Sequence, residues 1–307
     1  MKKVKIATLA ERLNLDVIKK ASDYDEVGIR KTEINRPGLQ LTGFMEEFPY
    51  QNIQVIGKAE MAYMQAMDPG LRYERVRGIL SYDIPCLIFT HGAIIPYEVI
   101  ELAQYYNKTL LSSTMSTTRL ISKIDDILTY ELCPETRLHA SLLEIYGVGV
   151  LIMGESSVGK SETALDLIIR GHTLVADDVV DVRKLENRLV AECPKMIRHF
   201  LEIRGLGILD IQRLYGLGSV KAQTNIDVVI SLERWDDSKE YDRVGIDEDI
   251  ITILGVDIPR KVVPVKPGRN IAMIVEVAVR NHRQRAYGYN AAVALNERIK
   301  ENLREQQ

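Results

Sequence analysis

The sequence has little cysteine, few aromatic residues and no surplus of either charge. Cys86, Cys133 and Cys193 are its three cysteines. They are odd in number, far apart and without a C-x-x-C pair, which excludes a disulfide framework or a cysteine zinc site and reads as three reduced core side chains. Lys and Arg number 40 against 43 Asp and Glu, for a formal net charge of −3. A nucleic-acid partner, which would show as a basic balance or clustered cations, is not expected. No apolar run approaches the ~20 residues that span a bilayer, so no membrane partner is expected either. The start Met1-Lys-Lys-Val-Lys leads into polar sequence instead of an apolar signal region, and the chain reads as cytoplasmic. Disorder is not favoured, because 46% hydrophobic and 27% charged residues are ordinary for a globular protein. A length of 307 residues suits two domains, each able to bury its own core.

What is present is one strong motif. Gly154-Glu155-Ser156-Ser157-Val158-Gly159-Lys160-Ser161 matches G-x-x-x-x-G-K-[ST] at every fixed position, the pattern of a Walker A loop. The spacing has a mechanism. Gly154 and Gly159 permit a nest of backbone N–H groups around phosphates, Lys160 reaches the β/γ oxygens of ATP, and the Ser161 hydroxyl can ligand Mg²⁺. The flanks predict a buried strand over 148–153 before the loop and a helix over 162–169 after it, ending at Gly171. The helix dipole then adds to the anion site.

The first 130 or so residues read as strand-then-helix units: strands at 53–56, 86–89 and 109–111, helices at 59–67, 96–106 and 117–132. This predicts a small parallel or mixed α/β sheet, with hydroxyls of 114–118 capping the last helix. Cys133-Pro-Glu-Thr136 breaks the helical pattern and sets the expected boundary, giving an N-terminal α/β domain over 1–132 and a C-terminal P-loop domain over 133–307.

In the second half, 142–146 and 148–153 read as paired strands split by Gly147, with His139 just upstream. Thr173-Leu-Val-Ala-Asp177-Asp178 reads as an apolar strand ending in two carboxylates, where a P-loop site needs an acid. Adjacent strand residues face opposite sides, so Asp177 and Asp178 should not share one task unless the strand has already ended. The run Leu201-Glu202-Ile203-Arg204-Gly205-Leu206-Gly207-Ile208-Leu209-Asp210 places charges and glycines in an apolar setting, which reads as an active-site loop. Tyr241-Asp-Arg243-Val-Gly245 and Pro264-Val265-Lys266-Pro267-Gly268-Arg269 put cations on expected loops, where an anionic substrate could be met. A GTPase is disfavoured because a guanine-reading N-K-x-D is missing after the loop; a kinase of a small metabolite and a non-catalytic nucleotide sensor stay open.

In this order, Gly154–Ser161, Leu174–Asp178, Leu201–Asp210 and Pro264–Arg269 resemble bacterial HPr kinase/phosphorylase, and with Asn35-Arg-Pro-Gly38 the resemblance covers essentially the whole chain. It implies a bifunctional enzyme of carbon catabolite repression. Such an enzyme phosphorylates a serine of HPr, the phosphocarrier of the sugar phosphotransferase system, and removes that phosphate by phosphorolysis. It also implies inorganic phosphate and pyrophosphate as ligands, fructose 1,6-bisphosphate as effector, a hexamer, and a C-terminal core similar to phosphoenolpyruvate carboxykinase. By the same resemblance the Gly154–Ser161 loop binds ATP, Ser161 and Glu202 hold Mg²⁺, and Asp178 acts as base. His139, Lys160 and Arg243 join it as catalytic residues, with Asp177 as an orienting or metal partner. The 201–210 segment serves both reactions, and the 264–269 segment serves phosphorolysis.

Overall fold

The strand-and-helix alternation of the first part of the chain becomes a single sheet covered on both faces. The computed structural model describes residues 2–241 and 249–305. Contacts divide the chain into two units, Met1–Cys133 and Pro134–Gln307.

In the first unit the strand order is Asp16–Lys19, Leu110–Ser112, Leu87–Phe89, Ile53–Ile56, Ile34–Asn35, with the first pair antiparallel and the rest parallel. Both faces are buried, which is why the central strands are mostly apolar, and the exception within Ile53–Ile56, Gln54, is buried and hydrogen-bonded. Leu87, Phe89 and Leu110 face one core with Met64, Ile79 and Val99 from three helices, while Ile88 and Leu111 face another with Leu9 and Ile124. Two helices of eight or more residues stand in this unit where no helix was expected, Ile6–Leu13 and Pro69–Leu80, besides the short Gly38–Thr42. The second begins with Pro-Gly, usually a turn signal, but the Asp68 carboxylate accepts from Gly70 N at 2.9 Å and Pro69 sits at the first helical position, where its missing N–H costs nothing.

The expected hydroxyl cap of Thr117–Leu132 is not formed. Ser116 occupies the cap position without a side-chain bond, and the Thr117 N–H donates instead to His91 Nε2 at 3.4 Å. The Asn35–Gly38 motif is a structural tie. Asn35 donates to the buried Gln54 at 2.7 Å, and Arg36 pairs at 2.8 Å with Glu60, whose carboxylate caps the following helix through Gly57 N.

The second unit has a six-stranded sheet in the order Thr173–Ala176, Ser141–Ile145, Val148–Gly154, Val228–Arg234, Val256–Val265, Asp249–Ile253. Its three central strands are parallel and the outer pairings antiparallel. Helices Lys160–Ile169 and Ile271–Ala286 bury Leu167 and Val275 against one face. The other face, through Leu142, Leu151 and Val229, packs on a four-stranded antiparallel sheet carrying Val180, Val182 and Leu189. Because the parallel strands run in register, Gly154 beside Leu232 and Val265 beside Arg234, their carboxyl ends form one edge. Loops at such an edge are where open α/β sheets gather their ligands.

Candidate functional site

The Gly154–Ser161 loop joins the central strand to helix Lys160–Ile169 at that edge. At Gly154, with φ +153°, a Cβ would stand 2.4 Å from the Leu232 carbonyl oxygen, so only glycine lets the loop leave the sheet here. Gly159 has φ +102° but open space around it, so conformation alone sets its requirement. Lys160 folds back over the loop, its Nζ donating to the carbonyls of Gly154 at 3.0 Å and Glu155 at 3.1 Å.

The two aspartates divide because the strand stops at Ala176. Asp177 is 5% exposed and accepts from Ser141 Oγ at 2.5 Å and Ser161 Oγ at 2.8 Å. Burial pushes its carboxyl above the usual range, and the negative Asp178 adds to that, while the two serine hydroxyls pull the other way. Asp178 takes a left-handed backbone, φ +66°, which turns its side chain outward to 73% exposure. Its Oδ1 lies 3.6 Å from Nδ1 of the equally open His139.

Residues 201–210 form no open loop. They pair as an antiparallel ribbon, Phe200–Ile203 with Gly207–Asp210, turning at 204–206. The period-2 alternation explains the mixed composition that suggested a loop: Leu201 and Ile203 anchor the ribbon in the core, and Glu202 points the other way. Glu202 and Arg204 line a cleft of about 130 Å³ together with Lys160, Ser161, Asp177 and Asp178. Gly205 and Gly207 take positive φ at the turn, Leu206 and Ile208 are exposed, and Leu209 packs partly against the core. Asp210 is a helix cap, accepting from Arg213 N at 3.0 Å.

The segment 264–269 is only partly a loop. Pro264 and Val265 complete a strand, the turn follows, and Asn270 caps the next helix by accepting from Met273 N. Lys266 Nζ lies 5.0 Å and the Arg269 guanidinium 6.0 Å from the Trp235 ring, and Arg269 donates to the Pro264 carbonyl at 2.7 Å. Both emerge at the same sheet edge, two strands along from Gly154, but neither lines the Lys160 cleft. Arg243 lies outside the described residues. Ser141, the second partner of Asp177, was missed; its one signal is a lone hydroxyl in an apolar strand.

The cleft presents hydroxyl and carboxylate oxygens, which suit a hard cation such as Mg²⁺. Among the described residues no three His, Cys, Asp or Glu side chains make a metal cage.

Family models match the chain in both of its units. The family model for the HPr serine kinase N terminus matches residues 4–128, and that for the HPr serine kinase C-terminal domain matches residues 130–299. The HPr kinase/phosphorylase of Caldanaerobacter subterraneus subsp. tengcongensis is 46% identical over 97% of this chain and 98% of its own. That of Alkaliphilus metalliredigens is 46% identical over 99% of both chains. A solved HPr(Ser) kinase/phosphatase from Coxiella burnetii is 37% identical and covers 50% of this chain and 99% of its own, with a TM-score of 0.46. The chain belongs to the HPr kinase/phosphorylase family.

Proposed function

We propose that the Gly154–Ser161 loop holds Mg-ATP and that the protein transfers the γ-phosphoryl group to a serine of HPr, and that it returns the phosphoserine to serine by phosphorolysis. The observation that carries this reading is the convergence on one cleft of Lys160, Ser161 and the carboxylates of Asp177, Asp178 and Glu202, of which Asp178 stands open to a protein substrate.

The roles follow from the surroundings of each group. Asp178 is the base: it takes the proton as the serine oxygen bonds to phosphorus and the bond to the ADP oxygen breaks. His139, within 3.6 Å, can share that proton and orient the carboxylate. Asp177 is the orienting partner, since it holds the Ser161 hydroxyl and has no open path to a docked protein. Lys160 leaves its two loop carbonyls, both of its own backbone turn, and swings to the β/γ oxygens. Ser161 and Glu202 would hold Mg²⁺, which supplies neutralisation of charge on the transferring group when bound.

In reverse, an oxygen of inorganic phosphate bonds to the phosphoserine phosphorus. The serine oxygen leaves with the proton from Asp178, and pyrophosphate is released. Family membership supports the rest of the reading: fructose 1,6-bisphosphate as effector, a hexamer, a C-terminal core similar to phosphoenolpyruvate carboxykinase, a cytoplasmic setting and a place in carbon catabolite repression.

The test is purified chain with γ-labelled ATP, Mg²⁺ and HPr, followed by unlabelled phosphate. Label should enter an HPr serine and then leave as pyrophosphate. Label transferred only to a small metabolite, or ATP bound without turnover, would overturn the reading.

A further inference from the structure

The first unit contains a cavity of about 420 Å³ that the proposed reaction does not use. It opens at the amino-terminal ends of the parallel strands, where Gln51 and Pro85 lie just upstream of the strands starting at Ile53 and Leu87 and Thr109 immediately precedes Leu110. Its volume is in the range of small-molecule sites.

Three cations stand on its wall against two carboxylates, Asp23 and Asp83. Arg30 and Lys31 are exposed, and neither side chain has a hydrogen-bond or ion-pair partner among the described residues. Lys108 is the third. It is mostly covered and pairs at 2.8 Å with Asp83, but that carboxylate is 96% exposed. Such a pair contributes little and is readily exchanged for a better anion. Arg offers a planar fork to phosphate or carboxylate oxygens, and the lysines add point charges around it.

The floor is apolar, made by Val27, Ile84 and Pro85, which gives a carbon skeleton somewhere to lie. The wall is held in place before any ligand arrives. The buried Thr109 accepts from Ala21 N at 3.3 Å, and Asn107 accepts from Ser22 N at 2.8 Å while donating to Ser22 Oγ at 2.7 Å. Partnerless cations over an apolar floor in a pinned cavity are what a small anion needs, because little ordering remains to be done on binding.

We propose that this cavity is a second ligand site, separate from the Lys160 cleft, that takes a small organic phosphate. Arg30 and Lys31 grip the phosphate, Lys108 joins them by releasing Asp83, and the skeleton rests on Val27 and Ile84. The proposal does not depend on the kinase reading, because its test measures binding alone.

The experiment titrates the full chain with glycerol 3-phosphate, and with glycerol as the uncharged control, while following the backbone amide signals of Gly28, Lys31 and Thr109. Saturable shifts are expected with glycerol 3-phosphate and none with glycerol. The double variant Arg30→Ala, Lys31→Ala should bind about tenfold or more weakly, the loss expected for charge-assisted hydrogen bonds. It should keep its Tm, since the side chains removed make no hydrogen bond or ion pair with the described residues. Lys160→Ala should leave these shifts unchanged. The proposal is overturned if the three amides show no saturable shift, if the double variant binds as well as the parent, or if shifts appear only at Gly154–Ser161.

Discussion

Replacing Lys160 by alanine should separate catalysis from folding. In the structure its ammonium makes two hydrogen bonds, both to carbonyls of its own loop and both exposed to solvent. Water can replace the ammonium at those carbonyls, so the loss in stability should not exceed about 1 kcal/mol. For a protein of this size that moves Tm by about 2–4 °C at most. Catalysis is a different matter. A preorganised charge aimed at the moving phosphoryl group is worth about 10²–10³-fold in rate, roughly 2.7–4 kcal/mol of barrier. Both directions should lose by that factor, because the same group moves in each. The assay is steady-state phosphorylation of HPr and phosphate-dependent dephosphorylation, run beside thermal unfolding. Near-normal rates would refute the loop assignment. A Tm collapse matching the rate loss would show instead that Lys160 acts through the fold.

Two further outcomes follow from the same geometry. Burial raises the Asp177 carboxyl above the ordinary aspartate value of 3.8, so the folded state holds its proton to higher pH than the unfolded chain does. Stability relative to Asp177→Asn should therefore be highest below that ordinary value and fall as pH rises through the raised native one, read as a difference in Tm at each pH; a difference that grows with pH would show the reverse shift. Arg269→Ala should weaken phosphorolysis of seryl-phosphorylated HPr far more than phosphorylation, because two anions must meet only in the former and the Arg269 cation stands at the same sheet edge; equal losses in the two rates would end that division of labour.

The residues that local chemistry dictates were legible in the chain itself. The Gly154–Ser161 spacing prescribes its own backbone path, since two glycines permit positive φ and the helix must begin where the loop ends. The runs 53–56 and 86–89 became strands because burial on both faces favours apolar residues on each, and the one polar residue among them, Gln54, is fully buried with its amide hydrogen-bonded to Asn35 and to backbone carbonyls. Which aspartate faces a substrate was not legible, because the answer depends on where the strand stops. Ending it at Ala176 and reversing the backbone at Asp178 sends one carboxylate inward to Ser141 and Ser161 and the other out beside His139. Residues 201–210 are similar: their glycines and charges suit a loop until a partner strand is present, and only pairing shows Glu202 and Asp210 doing unrelated jobs. Ser141 shows only as a lone hydroxyl in an apolar strand and Trp235 carries no local pattern, and their roles come from side chains far away in the sequence. Local backbone rules act over a few residues and can be read from the order of side chains, whereas burial and pairing between distant segments are decided only when the sheet assembles.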